Sequence, residues 1–296
     1  MKLVRSGNYS NILNYVLMHV GATLCFFVKP ELGAVGIALA LYFITGGLGW
    51  SVGIHRGLIH RSFKTYRWVE NCLALLGALS GLGGPISSSR LHFVRDFCQS
   101  NQGIADSELP RNFWRNYLRS PFFCNSWLEP EINDSISEQL RQRTFFRWLE
   151  HRWVLMGAMA TLLYSMGGLT YVAWGLFARV TVSANVFACF DYFCHSPNWG
   201  RQRFQLVGAS CDGRNNWLVS LLTSGEGWHN NHHAMPTSPR MGVGRFEIDL
   251  GYAMICGMRW VGLVWDPVDP DNALKSNALP IPRNEPTDST NDGKAS

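Results

Sequence analysis

Apolar residues come in blocks too long for ordinary strands. The first covers residues 12–28, interrupted by Asn14 and His19, and the second covers 33–54 without a charge. Each is about the ~20 residues a helix needs to cross a hydrocarbon core. Only residues 29–32 separate them, which predicts a helical hairpin. A third stretch, 71–86, is shorter and Gly-rich, as expected of an interfacial or partly buried helix. A polar segment follows from Ser87 to His151, and within it 134–150 reads as a charged helix. The run 153–195 is too long for one crossing, and a break at 167–170 divides it into helices at about 153–166 and 169–194.

The pattern predicts an all-α integral membrane protein with about four transmembrane helices. Four crossings put both termini on one side. Lys2 and Arg5 precede the first crossing, and Arg56, Arg61, Lys64 and Arg67 follow the second; the opposite turns carry only Lys29 and Glu31, or no charge. By the positive-inside rule the termini and the histidine-bearing side are cytoplasmic. The expected location is a multi-pass position in a plasma or endoplasmic-type membrane. The polar N-terminus lacks a small-residue cleavage site after its apolar run, which reads as a retained anchor. Residues 1–271 are expected to form one membrane domain. Residues 272–296, rich in Pro, Asn, Asp, Ser and Lys, are expected to be a disordered polar tail.

Composition adds limits. Hydrophobic residues are 47% and aromatics 13%, with 12 Trp and 17 Phe, which suits many interfacial positions. Net charge is +5, without a basic stripe interleaved with aromatics, so nucleic acid is not an expected partner. A basic surface facing an anionic leaflet, or an acidic carrier or cofactor, fits better. None of the eight Cys forms a C-x-x-C pair, which argues for reduced thiols rather than a disulfide framework or zinc ribbon.

The chemistry lies in the histidines. Seven of nine fall into groups near the mouths of apolar segments: His55 and His60, then His92, then His195, then His229, His232 and His233. Residues three or four apart share a helix face, so His229 can converge with His232 or His233, His92 with Asp96, and Asp191 with His195. His55 and His60 are five apart, so a helix there must end or distort to bring them together. Imidazole suits iron, zinc, copper and nickel, and no thiolate stands in these groups. Seven imidazoles exceed what one tetrahedral zinc uses, which makes two redox metals the economical reading. Other features have plainer readings. His19 is a satisfied core histidine and His151 is interfacial. Arg179 pairs with a carboxylate such as Asp191, or snorkels. Asn215 and Asn216 can be simple turn residues.

These residues resemble the membrane fatty acyl desaturases, especially the acyl-CoA delta-9 type. Residues 53–64 are similar to that family's H-R-x-x-x-H-R-S-F-K box. Residues 214–236, which include Asn215, Asn216 and the last three histidines, match its third box almost residue for residue. Residues 245–249 and 262–266 match its C-terminal pattern. The resemblance spans about residues 46–266. It implies four transmembrane helices under a cytoplasmic helical cap, two non-haem Fe(II) ions held by histidines, and a kinked apolar tunnel for the acyl chain. The implied ligands are His55, His60, His92, His195, His229, His232 and His233. The second box departs from the usual H-x-x-H-H, because Arg95 and Asp96 stand where two imidazoles are expected. Asp96 can ligate iron through oxygen, whereas Arg95 is permanently charged and cannot. Asp191 occupies a position where the family commonly has an Asn that reaches a metal-bound water. Asp191 and Asn231 are therefore expected behind the ligands or acting through water.

The resemblance implies O2-dependent introduction of a double bond into a fatty acyl thioester or acyl lipid. Segments 73–82 and 218–222 suit an apolar tunnel. No haem, flavin or iron–sulfur motif appears, so a ferredoxin-like or cytochrome b5-like donor is implied, docking near Arg201, Arg203 and Arg240. A hydroxylase, acetylenase or decarboxylase on the same scaffold stays open, as does a degenerate lipid-binding protein without turnover.

Overall fold

A computed structural model of the chain describes residues 3–7, 9–100, 112–119, 123–127, 135–209, 211 and 213–281. The architecture is all-α. The helices are α1 (Tyr9–Ala22), α2 (Leu32–Leu41), α3 (Arg67–Ala78), α4 (Pro85–Ser100), α5 (Phe113–Arg119), α6 (Ser135–Arg141) and α7 (Thr144–Leu149). They continue with α8 (Arg152–Val172), α9 (Arg179–Phe193), α10 (Trp217–Leu222), α11 (His229–Ala234), α12 (Leu250–Trp260) and α13 (Pro270–Ala273). Among the described residues the strands form three antiparallel pairs and no larger sheet. β1 (Leu3–Gly7) pairs with β3 (Phe123–Trp127), β2 (Lys64–Thr65) with β5 (Val264–Trp265), and β4 (Phe204–Leu206) with β6 (Ala278–Pro280).

Two helical runs among the described residues are long and apolar enough to cross a membrane, Leu32–Ile59 and Arg152–Phe193. Only 22% of the most apolar window of the first is buried in the protein, so most of that apolar surface faces outward, as a lipid-facing helix requires. α1 is shorter than expected, ending in a 3-10 turn at Thr23–Phe26. The predicted break in the long second run is present. Gly167 leaves helical geometry and Gly168 takes φ 64°, a left-handed conformation that glycine tolerates. The chain reverses there, since a Cβ on Gly175 would lie 3.0 Å from the Leu163 side chain.

Small residues bring α3 against the helix that carries the first histidines. A Cβ on Gly77 would sit 2.9 Å from the Gly49 carbonyl oxygen, and one on Gly53 would sit 2.6 Å from Leu73 Cβ. Arg179, expected to pair with a carboxylate or snorkel, does neither. Its guanidinium donates to Gly175 O at 2.8 Å, Thr45 Oγ1 at 2.8 Å and Leu79 O at 3.0 Å. Three neutral acceptors satisfy it inside the bundle, tying α9, α3 and the first long helix together. His19 is satisfied as expected, by Tyr15 O at 2.7 Å and Asn185 Nδ2 at 2.9 Å.

The charged helix expected at 134–150 is two short helices, α6 and α7, and Asp134 lies outside the described residues. The tail expected from Asn272 begins as ordered structure. α13 and β6 carry the chain to Ile281, because β4 offers a pairing edge that composition does not reveal. Residues 282–296 lie outside the described residues.

Candidate metal centre

His55 and His60 lie in and just past a π-helical segment, Tyr42–Ile59, which continues α2. His60 N donates to His55 O at 3.0 Å, an i→i−5 bond that brings the fifth residue back over the first. The two Nε2 atoms are 3.2 Å apart. The distortion that the five-residue spacing demands is thus a change of helical period.

The third box is held by asparagines. Asn215 Oδ1 accepts from the N–H groups of Asn230 at 3.0 Å and Asn231 at 3.2 Å, the first-turn donors of α11 that lack helical partners. Asn216 does the same for α10, accepting from Leu218 N and Val219 N. These two are caps rather than simple turn residues. Asn230 Oδ1 accepts from Arg203 N and Phe204 N, and its amide donates to Phe204 O, pinning α11 to β4. Asn231 donates to Met241 O at 2.8 Å and Glu247 Oε2 at 2.9 Å, and accepts from Asn215 at 2.8 Å. Its side chain therefore ties α11 to the loop at 241–247.

All seven expected histidines come together, in two groups among the described residues. His55, His60, His92 and His232 form one, and His195, His229 and His233 the other; within each, the ring nitrogens lie within 4.8 Å of one another. His229 Nε2 is 3.0 Å from His195 Nε2 and 2.9 Å from His233 Nε2. The groups are adjacent, since the His229 and His232 rings stack 5.6 Å apart. Burial, and then the neighbouring imidazoles, push His60, His229 and His232 well below the usual histidine range, and His233 down to about 3. These rings are neutral at pH 7, each offering a lone pair.

The donor set fits metal ions. His195 Nδ1 is 2.9 Å from the Asp191 carbonyl oxygen, which can only accept, so the lone pair of His195 is at Nε2, the nitrogen that meets His229. His55 Nδ1 is 2.5 Å from Glu226 Oε2, which likewise leaves Nε2 facing His60. Buried ring nitrogens converging with lone pairs are repulsive by themselves, and a shared cation relieves this.

Glu226 is the functional residue that the sequence reading did not single out. Its other oxygen accepts from Ser51 Oγ and faces Arg56 Nε at 3.4 Å. Arg56, fully buried, also donates to Pro239 O at 2.7 Å and pairs with Asp249 at 3.0 Å. One buried ion cluster thus joins the first box, the third box and the start of α12. The available signal was an acid beside small residues, Gly225 and Gly227, three positions before His229.

The second box is rearranged. Asp96 Oδ2 lies 3.2 Å from His92 Nε2. Arg95 Nη1 lies 3.4 Å from Asp191 Oδ1, and Asp191 Oδ1 is 4.0 Å from His195 Nδ1. Asp191 therefore stands behind His195.

A cavity of about 180 Å³ opens on both histidine groups. Trp50, Leu82, Ala184, Phe187, Ala188 and Phe190 provide apolar wall, and His55, His92, His195 and His229 line the same space. Of the segments expected to form a tunnel, 73–82 contributes Leu82, and its Gly81 neighbour also lines the space. The 218–222 segment turns outward, with Leu218, Leu221 and Leu222 exposed, because their face of α10 is not covered by any of the described residues. Of the three arginines expected to receive a donor, Arg201 is exposed. Arg203 is 2.5 Å from Glu247, and Arg240 donates to Gly242 O at 2.8 Å.

A helical protein with two helical runs long and apolar enough to cross a membrane, and two groups of imidazoles that could each hold a metal ion beside an apolar cavity, has the parts of a membrane-type metal site. The chain belongs to the fatty acid desaturase family, whose model matches residues 32–241. It is 33% identical over 245 residues to the chloroplastic palmitoyl-monogalactosyldiacylglycerol delta-7 desaturase of Arabidopsis thaliana, covering 82% of this chain and 64% of that protein's length. It is 32% identical over 263 residues to the sn-1 stearoyl-lipid 9-desaturase of Anabaena variabilis, covering 86% and 92%. It is 29% identical over 270 residues to the acyl-CoA C20 Delta5-desaturase of Anemone leveillei, covering 89% and 83%. The chain is thus an oxidoreductase of a family whose named members desaturate acyl lipids or acyl-CoA.

Proposed function

We propose that this chain introduces a double bond into a fatty acyl chain, carried as a lipid or thioester, with O2 and two Fe(II) ions. The observation that carries this is the apolar cavity opening on two separate imidazole groups. His55, His60, His92 and His232 hold one ion, and His195, His229 and His233 the other, with Asp96 as an oxygen ligand. Asp191 supports His195 from behind. When bound, the two ions supply the oxidising power for removing hydrogen from an unactivated methylene.

The chain's own contribution is position and dryness. Methylenes along an acyl chain are nearly equivalent in reactivity, so the wall formed by Trp50, Phe187 and Phe190 selects which one rests beside the imidazoles. The Nδ1 contacts of His55 and His195 keep their Nε2 lone pairs aimed at the centre.

In this reading α1, the Leu32–Ile59 helix and the two arms of Arg152–Phe193 make four crossings. Both termini and the site face the cytoplasm, in keeping with the basic residues that follow the first box. Two electrons come from a ferredoxin-like or cytochrome b5-like donor approaching Arg201.

Expression in a host with a defined fatty acid profile, followed by mass spectrometry of methyl esters, tests the proposal. The expected result is a new monoene that disappears in His232→Ala. A new hydroxy acid assigns the scaffold to hydroxylation. An unchanged profile under iron-replete conditions, with donor supplied, overturns the proposal.

A further inference from the structure

The two histidine groups are unequal. One has four imidazoles and the other three, so the second has room for another ligand. Three carboxylates line the cavity, Asp96, Asp191 and Glu226, and Glu226 is taken up by His55 Nδ1, Ser51 Oγ and Arg56 Nε. Asp191 faces Arg95 at 3.4 Å and approaches His195 from its Nδ1 side at 4.0 Å, whereas His195 meets His229 through Nε2. A guanidinium offers only donors and cannot ligate, so Arg95 holds Asp191 in an ion pair behind the ring.

Asp96 is placed differently. One turn after His92 on α4, it meets that ring at Nε2 at 3.2 Å. No lysine or arginine pairs with it among the described residues. Asp96 also lines the cavity on which His195 and His229 of the other group open. One carboxylate thus touches an imidazole of one group and borders the space onto which the other opens, and its two oxygens can bind two cations at once.

We propose that Asp96 bridges the two metal positions, giving one oxygen to the four-imidazole group and one to the three-imidazole group. The Arg95–Asp191 pair keeps the neighbouring carboxylate out of that role. This rests on the two-iron reading above and deepens it. The replacement of two expected imidazoles in the second box then converts two separate histidine sites into one linked pair.

The test is magnetic. Detergent-purified protein is loaded with Fe(II) under anaerobic conditions, its iron counted, and its ions examined by Mössbauer and integer-spin EPR spectroscopy. The expected result is two irons per chain with exchange coupling between them. Asp96→Asn should retain two irons and lose the coupling, and Asp96→Glu should restore it. Two uncoupled irons in the parent protein overturn the bridge while leaving the two-iron reading intact. So does coupling that survives in Asp96→Asn, or loss of a single iron in that variant, which marks a ligand to one ion only. A parent protein that binds no iron overturns the two-iron reading itself, and the bridge with it. Where Asp96→Asn does not fold, an uncoupled parent still overturns the bridge, and Asp96→Glu, with the coupling kept at a changed strength, supports it.

Discussion

Glu226 Oε2 lies 2.5 Å from His55 Nδ1, with both side chains buried. A carboxylate in that position fixes the imidazole tautomer and raises its strength as a ligand. Glu226→Gln keeps the shape and removes the charge. Metal affinity should fall by about 10–100-fold, the range for losing such a partner. Competition of Co(II) against a chelator measures it, and unchanged affinity would assign Glu226 a purely structural role. Glu226→Ala should also destabilise the fold by roughly 3–5 kcal/mol, since it removes one partner of buried Arg56.

Asn215 caps α11 from a distant loop. Asn215→Ala should cost about 1–2 kcal/mol, as loss of a cap does. It should also lower iron per chain, because α11 carries three of the imidazoles. Asn215→Asp keeps the acceptor oxygen for the α11 amides but loses the donor to Asn231 Oδ1, so it should recover only part of both. Thermal unfolding in detergent, with parallel iron analysis, separates the two effects.

The metal-free protein should lose stability on acidification. Burial and its neighbours hold His233 at about 3, against roughly 6.5 in an unfolded chain. Below about 6.5 the unfolded state takes up a proton that the folded state refuses, so stability falls as pH falls from there towards 3. His60, His229 and His232, displaced in the same direction, add to the effect. Unfolding midpoints of chelator-treated protein should drop between about pH 7.5 and 5.5. A flat profile would contradict buried neutral rings.

Trp50 stacks near His55, with ring centroids 5.6 Å apart, and meets Phe187 edge-on at 4.6 Å. Both line the cavity that opens on the histidines. Phe187→Ala opens space there and should shift the position oxidised, or the preferred chain length, while iron per chain stays constant. Double-bond location by mass spectrometry is the readout. An unchanged product would place the acyl chain elsewhere.

Much of the site was legible along the chain. The apolar blocks, the break at Gly167–Gly168 and the seven histidines follow from local pattern, because helix periodicity and imidazole chemistry are properties of short segments. The five-residue interval between His55 and His60 even announced a distortion, though not that it takes the form of a π-helix. Other features depended on which segments pack together. The division of the histidines into four and three joins residues up to 177 positions apart, His55 to His232. The pairing of Arg95 with Asp191, the seating of Glu226 behind His55 and the neutral acceptors of Arg179 are of the same kind. A charged side chain can be read from sequence, but its partner cannot, because burial removes the solvent alternative and the choice among remaining partners is made by tertiary packing.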